Sequence, residues 1–415
     1  METQETPQKQ EQKPRCVVGL DIGSSSVKCV LASIDNNGNP QVIATASKPN
    51  RGMRKGVVVD LTAVAKTVDA VLGEIESLTG YSVSSATINV NGSQISSLTT
   101  TGMIATGPSG HVVDLDDLAR VKEVALMGKI PPNKQILEIS PLSYTLDGQD
   151  GIKEPLGMTG ARLEVQLNTV FAMSQNIGSL NKVMELVNVA VGGAFPSSVA
   201  GAKAVLNEQQ IENGVALIDV GASTTGISVF EEGELRFTSV IPMGSNNITN
   251  DLAMGLKTTP DVAEELKRNH LGERLSVADA GDDVLAVFED TEYIFRRVDV
   301  NDIVDARLDE IFVAVREEFR KAGYDRKLPE GAVLVGGGAK IEFLKEYASE
   351  KLEMAVKIGS LKDVSSVEDL TDKLELATAC GLMLEDLKGG KSQQEQAIKN
   401  DGKPGFFKKL FGGLK

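Results

Sequence analysis

A chain of 415 residues, 41% hydrophobic and 24% charged, has the composition of an ordinary folded protein and length for roughly two to four folded units. A net charge of −15 argues against a general nucleic-acid-binding role and against adhesion of the whole body to an anionic membrane. Three cysteines without a CxxC pair and two distant histidines give no support to a disulfide scaffold, a zinc site or a Ser-His-Asp triad, and a reducing cytoplasm fits.

Residues 1–15 are polar and lack an apolar stretch, so they are expected to form a disordered leader and not a signal peptide. No apolar run reaches the ~18–20 residues needed to span a bilayer. The first ordered stretch, VVGLDIGSSSVKCVLA at 17–32, reads as a β-hairpin with its turn at Gly23, Ser24 and Ser25. Its cargo suits phosphate. Backbone N–H groups and hydroxyls donate from the turn, Lys28 supplies charge, and Asp21 can hold Mg²⁺ through water.

A strand is expected over 41–47, and then a helix capped by Asp60 and ended by Gly80, with Val64, Ala65, Val68, Val71, Leu72 and Ile75 at helical spacing. From Ser84 the texture changes to short strands around one helix at 114–127, which suggests a compact α+β insertion over 84–165. A helix over 175–189 returns the chain to its core. IDVGASTTGISVF at 218–230 then echoes LDIGSSSVKCVL at 20–31, with Asp219 matching Asp21 and Gly221 matching Gly23. A repeat this long is not a solenoid. It predicts two related domains whose hairpins grip a polyphosphate from both sides, with Asp21 and Asp219 converging on hydrated Mg²⁺. AVLVGGGAKIEFL at 332–344 runs a buried strand into Gly336, Gly337 and Gly338, where backbone can approach a flat ligand. It is neither a P-loop nor a Rossmann fingerprint.

Residues 388–404 are expected to be a flexible linker and 405–415 an amphipathic helix. In that helix Phe406, Phe407, Leu410, Phe411 and Leu414 share one arc, opposite Lys408 and Lys409. Apolar residues opposite lysines on a tether read as an in-plane membrane anchor, weak singly and strong when several act together.

Hairpin, helix, second hairpin and glycine motif, in this order, resemble the actin-like ATPase superfamily. The fold implied is α/β, with two related α/β domains around a nucleotide cleft and an α+β insertion in the first half. The expected domain 1 core is 16–83 with 166–208, and domain 2 is 209–387, with about 245–315 as its nucleoside side. By this resemblance Ser24, Ser25 and Lys28 form the first phosphate loop, Ser223, Thr224 and Thr225 the second, and Gly336, Gly337, Gly338 and Ala339 border the adenosine. AEELK at 263–267 would place Glu264 and Lys267 near the nucleoside. Asp219 and Gln175 are the candidates for positioning a hydrolytic water.

Within the superfamily the chain is similar to the FtsA family of bacterial cell-division proteins. RGMRKGVVVDL at 51–61, GIKEPLGMTG at 151–160, VIPMGSNNITNDLA at 240–253 and the glycine motif carry the likeness. One departure is DVGAST in the second hairpin, where Ala222, Ser223 and Gly226 replace the family's usual residues and resemble a sister family, the pilus-assembly protein PilM. The resemblance implies ATP and Mg²⁺ as cofactors with at most slow hydrolysis. It also implies self-association into filaments on the inner face of the cytoplasmic membrane, anchoring of the tubulin-like division GTPase FtsZ, and recruitment of later division proteins. A pilus-assembly scaffold and a small-molecule kinase on the same fold remain alternatives at this point.

Overall fold

The computed structural model describes residues 15–107, 110–270, 283–362, 365–366 and 369–399. All but the last residue of the expected leader, and the whole expected membrane helix with Phe406, Phe407, Lys408, Lys409, Leu410, Phe411 and Leu414, lie outside them.

The hairpin echo is an echo of whole lobes. In the first, Cys16–Ile22, Ser26–Ile34 and Pro40–Pro49 form an antiparallel meander, and Ser85–Val90 and Ala190–Pro196 extend it in parallel on the other side. In the second, Val215–Val220, Thr225–Glu231 and Glu234–Ile241 form the meander, with Ala332–Val335 and Val356–Ile358 as the parallel extension. This is the actin-like α/β architecture that the sequence motifs imply. The helix Leu61–Thr79 covers the first sheet through Val64, Ala65, Val68, Val71, Leu72 and Ile75, the predicted face. Asp60 caps it by accepting from the Ala63 N–H at 3.0 Å, and Gly80 ends it at φ 69°.

Three boundaries differ from expectation. The insertion does not begin at 84, because Ser85–Val90 lies in the first lobe's sheet. Every residue of that strand after Ser85 is buried, so no alternation marks it as separate from the strands that follow. Nor does the insertion end at 165, because Arg162–Met173 pairs along its length with Ser96–Ala105 and Lys134–Leu146. The inserted unit thus occupies about 91–173, its sheet covered on one face by the helix Leu115–Leu126. That helix approaches Gly102 so closely that a Cβ there would come 2.6 Å from the Val121 carbonyl oxygen. At one corner the inserted sheet joins the second lobe's sheet through Ser96 opposite Ser239, giving a continuous nine-stranded sheet.

The last helix, Ala377–Lys399, is the third correction. It returns to the first lobe, where Gly19 meets the Ala379 carbonyl and Gly381 meets the Ala200 carbonyl, both closer than any side chain allows. It also extends through 388–399, which the sequence suggests is linker. Docking upstream supplies the nucleus, after which Gln, Glu, Ala and Lys propagate the helix despite the Gly389, Gly390 pair. Lys388 donates to Glu385 one turn back at 3.1 Å.

Replacing Gly381 with Ala forces this helix off the Ala200 backbone and should cost about 1–3 kcal/mol in urea unfolding. Gly73→Ala, at a helical position with nothing within 4 Å of a Cβ, should instead stabilise by up to about 1 kcal/mol. Equal effects of the two substitutions would contradict this packing.

Candidate functional site

The two hairpins face one another across a cleft of about 500 Å³. Their turns are built alike: the Gly23 N–H donates to the Ser26 carbonyl at 3.1 Å, and the Gly221 N–H to the Thr224 carbonyl at 2.9 Å. Asp21, Gly23, Ser24, Ser25 and Lys28 line the cleft from one side, and Asp219, Gly221, Ser223 and Thr224 from the other. Glu264, Lys267, Gly336, Gly337 and Gly338 complete that part of the wall legible in the sequence.

Strand register fixes the chemistry of each jaw. Asp21 sits opposite Lys28, and Lys28 donates to its Oδ2 at 3.0 Å. The other oxygen accepts from Asn89 Nδ2 at 2.7 Å, and Asn89 Oδ1 in turn accepts the Ile22 N–H at 2.7 Å. Burial pulls the Lys28 ammonium down, but Asp21, Asp219 and Glu375 more than offset it and hold the lysine charged above its usual range. In the second jaw Asp219 sits opposite Gly226, which carries no cation. A side chain there is opposed by Ser198, whose Cβ would lie 3.1 Å from an added Cβ. Burial, then the negative charge of Asp21, push the Asp219 carboxyl up to about 6, against the pull of Lys28 and a long contact from Thr378 Oγ1 at 3.4 Å.

The glycine triplet rests on this second strand. Gly336 has φ 86°, and a Cβ there would strike Asp219 Oδ1 and lie 2.7 Å from the Val220 carbonyl oxygen, so only glycine fits. Gly337 differs: a Cβ there meets nothing within 4 Å and would project into open space. The AEELK segment forms a closed knot. Glu264 Oε2 accepts from Lys267 and from Thr249 Oγ1, each at 2.6 Å, and Lys267 also donates to Thr249 at 2.8 Å. Burial opposes both charges. Glu264 nevertheless stays below the usual glutamate range through the bonds from Lys267 and Thr249, whereas Lys267 ends below the usual lysine range.

Three expected site residues lie elsewhere. Gln175, second in the helix Ser174–Leu186, is exposed and does not line the cleft. The helix that opens on the cleft is the next one, Ser197–Val205, and it contributes Ser197. Thr225 follows the strand alternation away from the cleft and donates to the Met243 carbonyl at 2.9 Å. Ala339 is buried in the second lobe's core.

Sequence reasoning missed Asn91, Ser245, Asn246, Glu375 and Thr378, all on the cleft wall. The 240–253 motif held a usable signal. Its helix Ser245–Gly255 starts directly on the second turn, with Ser245 and Asn246 N–H groups donating to the Gly221 and Ala222 carbonyls at 2.9 and 2.7 Å.

Comparison with known proteins agrees with this geometry. Residues 216–381 match the family described as "Cell division protein FtsA", and residues 92–171 match "SHS2 domain inserted in FTSA", close to the insertion seen in the structure. The chain is 32% identical over 375 residues to the cell division protein FtsA of Pseudomonas aeruginosa, covering 90% of this chain and 89% of that one. It is 30% identical to that of Bacillus subtilis, covering 83% and 78%. Among solved structures, the PilM-PilN type IV pilus biogenesis complex superposes with a TM-score of 0.64 at 17% identity, covering 89% and 98%. MreB5 of Spiroplasma citri bound to ADP gives 0.52 at 12%, covering 93% and 99%. These two likenesses concern the fold alone. The sequence relationship decides the family: the chain belongs to the FtsA family of cell-division proteins.

Proposed function

We propose that the cleft binds ATP with Mg²⁺, and that the nucleotide-bound chain polymerises on the inner face of the cytoplasmic membrane, where it anchors the FtsZ ring and recruits later division proteins. The observation that carries the nucleotide reading is the meeting of two phosphate-type turns and a glycine shelf around one cleft. An actin-like neighbour described as bound to ADP supports it. Ser24, Ser25, Gly221, Ser223 and Thr224 would donate to phosphate oxygens, Lys28 would supply charge, and Gly336, Gly337 and Gly338 would admit the base and sugar beside Glu264 and Lys267.

The residues fit a divalent cation. Two carboxylates share the cleft, and the charge of Asp21 raises the Asp219 carboxyl, a repulsion that a bound cation relieves. Asp219 would be the principal holder and Asp21, already engaged by Lys28 and Asn89, would act through water. Mg²⁺ there would neutralise phosphate charge. Among the described residues no histidine or glutamine lines the cleft, and Asp219, beside the cation it would hold, would be the candidate for positioning a hydrolytic water. With that one candidate committed to the cation, slow hydrolysis is expected. Both lobes gain contacts from one ligand, so occupancy favours their closed arrangement, and association through that arrangement would make assembly ATP-dependent.

Membrane attachment is assigned to 405–415, which lies outside the described residues; no helix among the described residues is long and apolar enough to cross a bilayer. The tail's aromatic arc and lysines on an acidic body support this assignment.

Gly337→Leu should lower ATP affinity at least about tenfold with little change in melting temperature, because Gly337 lines the cleft and a Cβ there meets no protein atom within 4 Å. Normal ATP binding by this variant would place the base elsewhere. Asp219→Asn separates stability from function. The native carboxyl near 6 lies above the unfolded value of 3.8, so the empty protein gains stability as pH falls from about 6 towards 4 and carries the cost of ionisation above 6. The neutral amide should therefore stabilise the empty protein at pH 7.5 by on the order of 1–3 kcal/mol, abolish that pH dependence, and weaken Mg²⁺-dependent ATP binding. Calorimetric melts with and without Mg·ATP test both signs. Deleting 406–415 should release the protein from anionic vesicles in a sedimentation assay while ATP binding persists; continued co-sedimentation would place the anchor elsewhere.

A further inference from the structure

Asn91 lies at the root of the inserted unit, between the first lobe's strand Ser85–Val90 and the insertion's first strand Ser96–Ala105. The root is a locked turn. Asn91 Oδ1 accepts the Gly92 N–H at 2.7 Å, the Asn91 carbonyl accepts from Gln94 Nε2 at 2.7 Å, and Gly92 has φ 111°. The first of these bonds fixes which end of the Asn91 amide carries hydrogens. Its Nδ2 then donates to Thr224 Oγ1 at 3.1 Å, across the cleft on the second phosphate turn.

That bond leaves two donors uncommitted. A side-chain amide has two N–H groups and a hydroxyl has one proton. Among the described residues, neither the second N–H of Asn91 nor the Thr224 proton has an acceptor, although Thr224 is only 4% exposed and both residues line the cleft. The same root reaches the first turn. Gly56 N–H donates to Ser24 Oγ at 3.2 Å, and a Cβ on Gly56 would come within 2.7 Å of the Gly92 nitrogen.

We propose that Asn91 is a ligand of the terminal phosphate of a nucleoside triphosphate, and that through it the inserted unit senses whether that phosphate is present. The inference rests on the nucleotide reading of the cleft. A base on the glycine shelf at Gly336 sends its phosphates between the two turns, and the root of the insertion closes the far end. Asn91 N–H and Thr224 O–H together donate to the last phosphate, a cooperative pair because the amide already polarises the hydroxyl. A diphosphate stops short of them. The insertion is well placed to respond, since its first strand begins within a few residues of Asn91 and joins the second lobe's sheet at Ser239.

The test uses full-length protein, a non-hydrolysable ATP analogue and ADP, both with Mg²⁺. Asn91→Asp keeps the acceptor for Gly92 N–H, removes the donor and adds a negative charge. Its affinity for the triphosphate should fall about tenfold or more while ADP affinity stays within about twofold. Hydrogen exchange should show greater protection over 92–105 with the triphosphate than with ADP in the unsubstituted protein, and no such difference in Asn91→Asp. Unchanged selectivity, or an equal loss of both nucleotides with a lowered melting temperature, would overturn the role of Asn91. Failure of the unsubstituted protein to bind either nucleotide would instead overturn the nucleotide reading itself.

Discussion

Asp21 and Asp219 are the next-to-last residues of equivalent strands in the two lobes, and both line the same cleft. Holding two carboxylates within electrostatic reach of each other is the constraint around which the centre of this fold is arranged. The first lobe meets it with Lys28 and Asn89, which saturate Asp21. The second lobe cannot copy that solution, because the position opposite Asp219 is pressed by Ser198 and is glycine. It offers only the distant hydroxyl of Thr378 at 3.4 Å, and the Asp219 carboxyl rises to about 6. One cation thus serves two acids. The imbalance would favour a second cation between the two acids, which is the physical basis for the proposed Mg²⁺.

Thr378 belongs to the last helix, and this explains why that helix must return to the first lobe. Gly19 and Gly381 let its backbone touch the first hairpin and the helix Ser197–Val205, so the segment between the glycine shelf and the helix is drawn across the cleft. Glu375 and Thr378 reach the cleft wall from that crossing, and Lys340 beside the shelf donates to Glu375 at 2.9 Å. The two lobes are therefore linked by backbone contacts as well as by the cleft's charges.

Local chemistry was legible in the sequence wherever one segment carried the whole signal. The paired hairpins needed only their Asp-x-Gly spacing, and the helix Leu61–Thr79 only its caps and apolar period. Signals that depend on partners far along the chain were not legible. Ser85–Val90 is buried on both faces, and only its neighbours in the sheet distinguish a first-lobe strand from the start of an insertion. Gln175 and Ser197 both stand at the start of short helices after strands; the crossing of Ser197–Val205 beneath the second hairpin decides between them. Thr224 and Thr225 differ by one step of strand alternation, which a turn of uncertain length conceals.

The insertion shows why such long-range placement matters for function. By sequence it interrupts the first lobe, yet its sheet continues the second lobe's sheet through Ser96 and Ser239. Thr238 N–H donates to Ser97 Oγ at 3.1 Å, and the buried Asn168 amide donates to the Leu235 carbonyl at 2.9 Å, so polar bonds reinforce this seam. The unit is covalently rooted in one lobe and hydrogen-bonded to the other. Relative motion of the lobes would then load the seam and the unit's two covalent connections, at Asn91 and after Met173. The seam is held by several bonds with buried partners, whereas one 3.1 Å bond joins the root to the second phosphate turn. Motion should concentrate at the weaker connection, which lies within the cleft itself. Under the proposed role of Asn91, a ligand that strengthened that connection would also bias the position of the inserted unit.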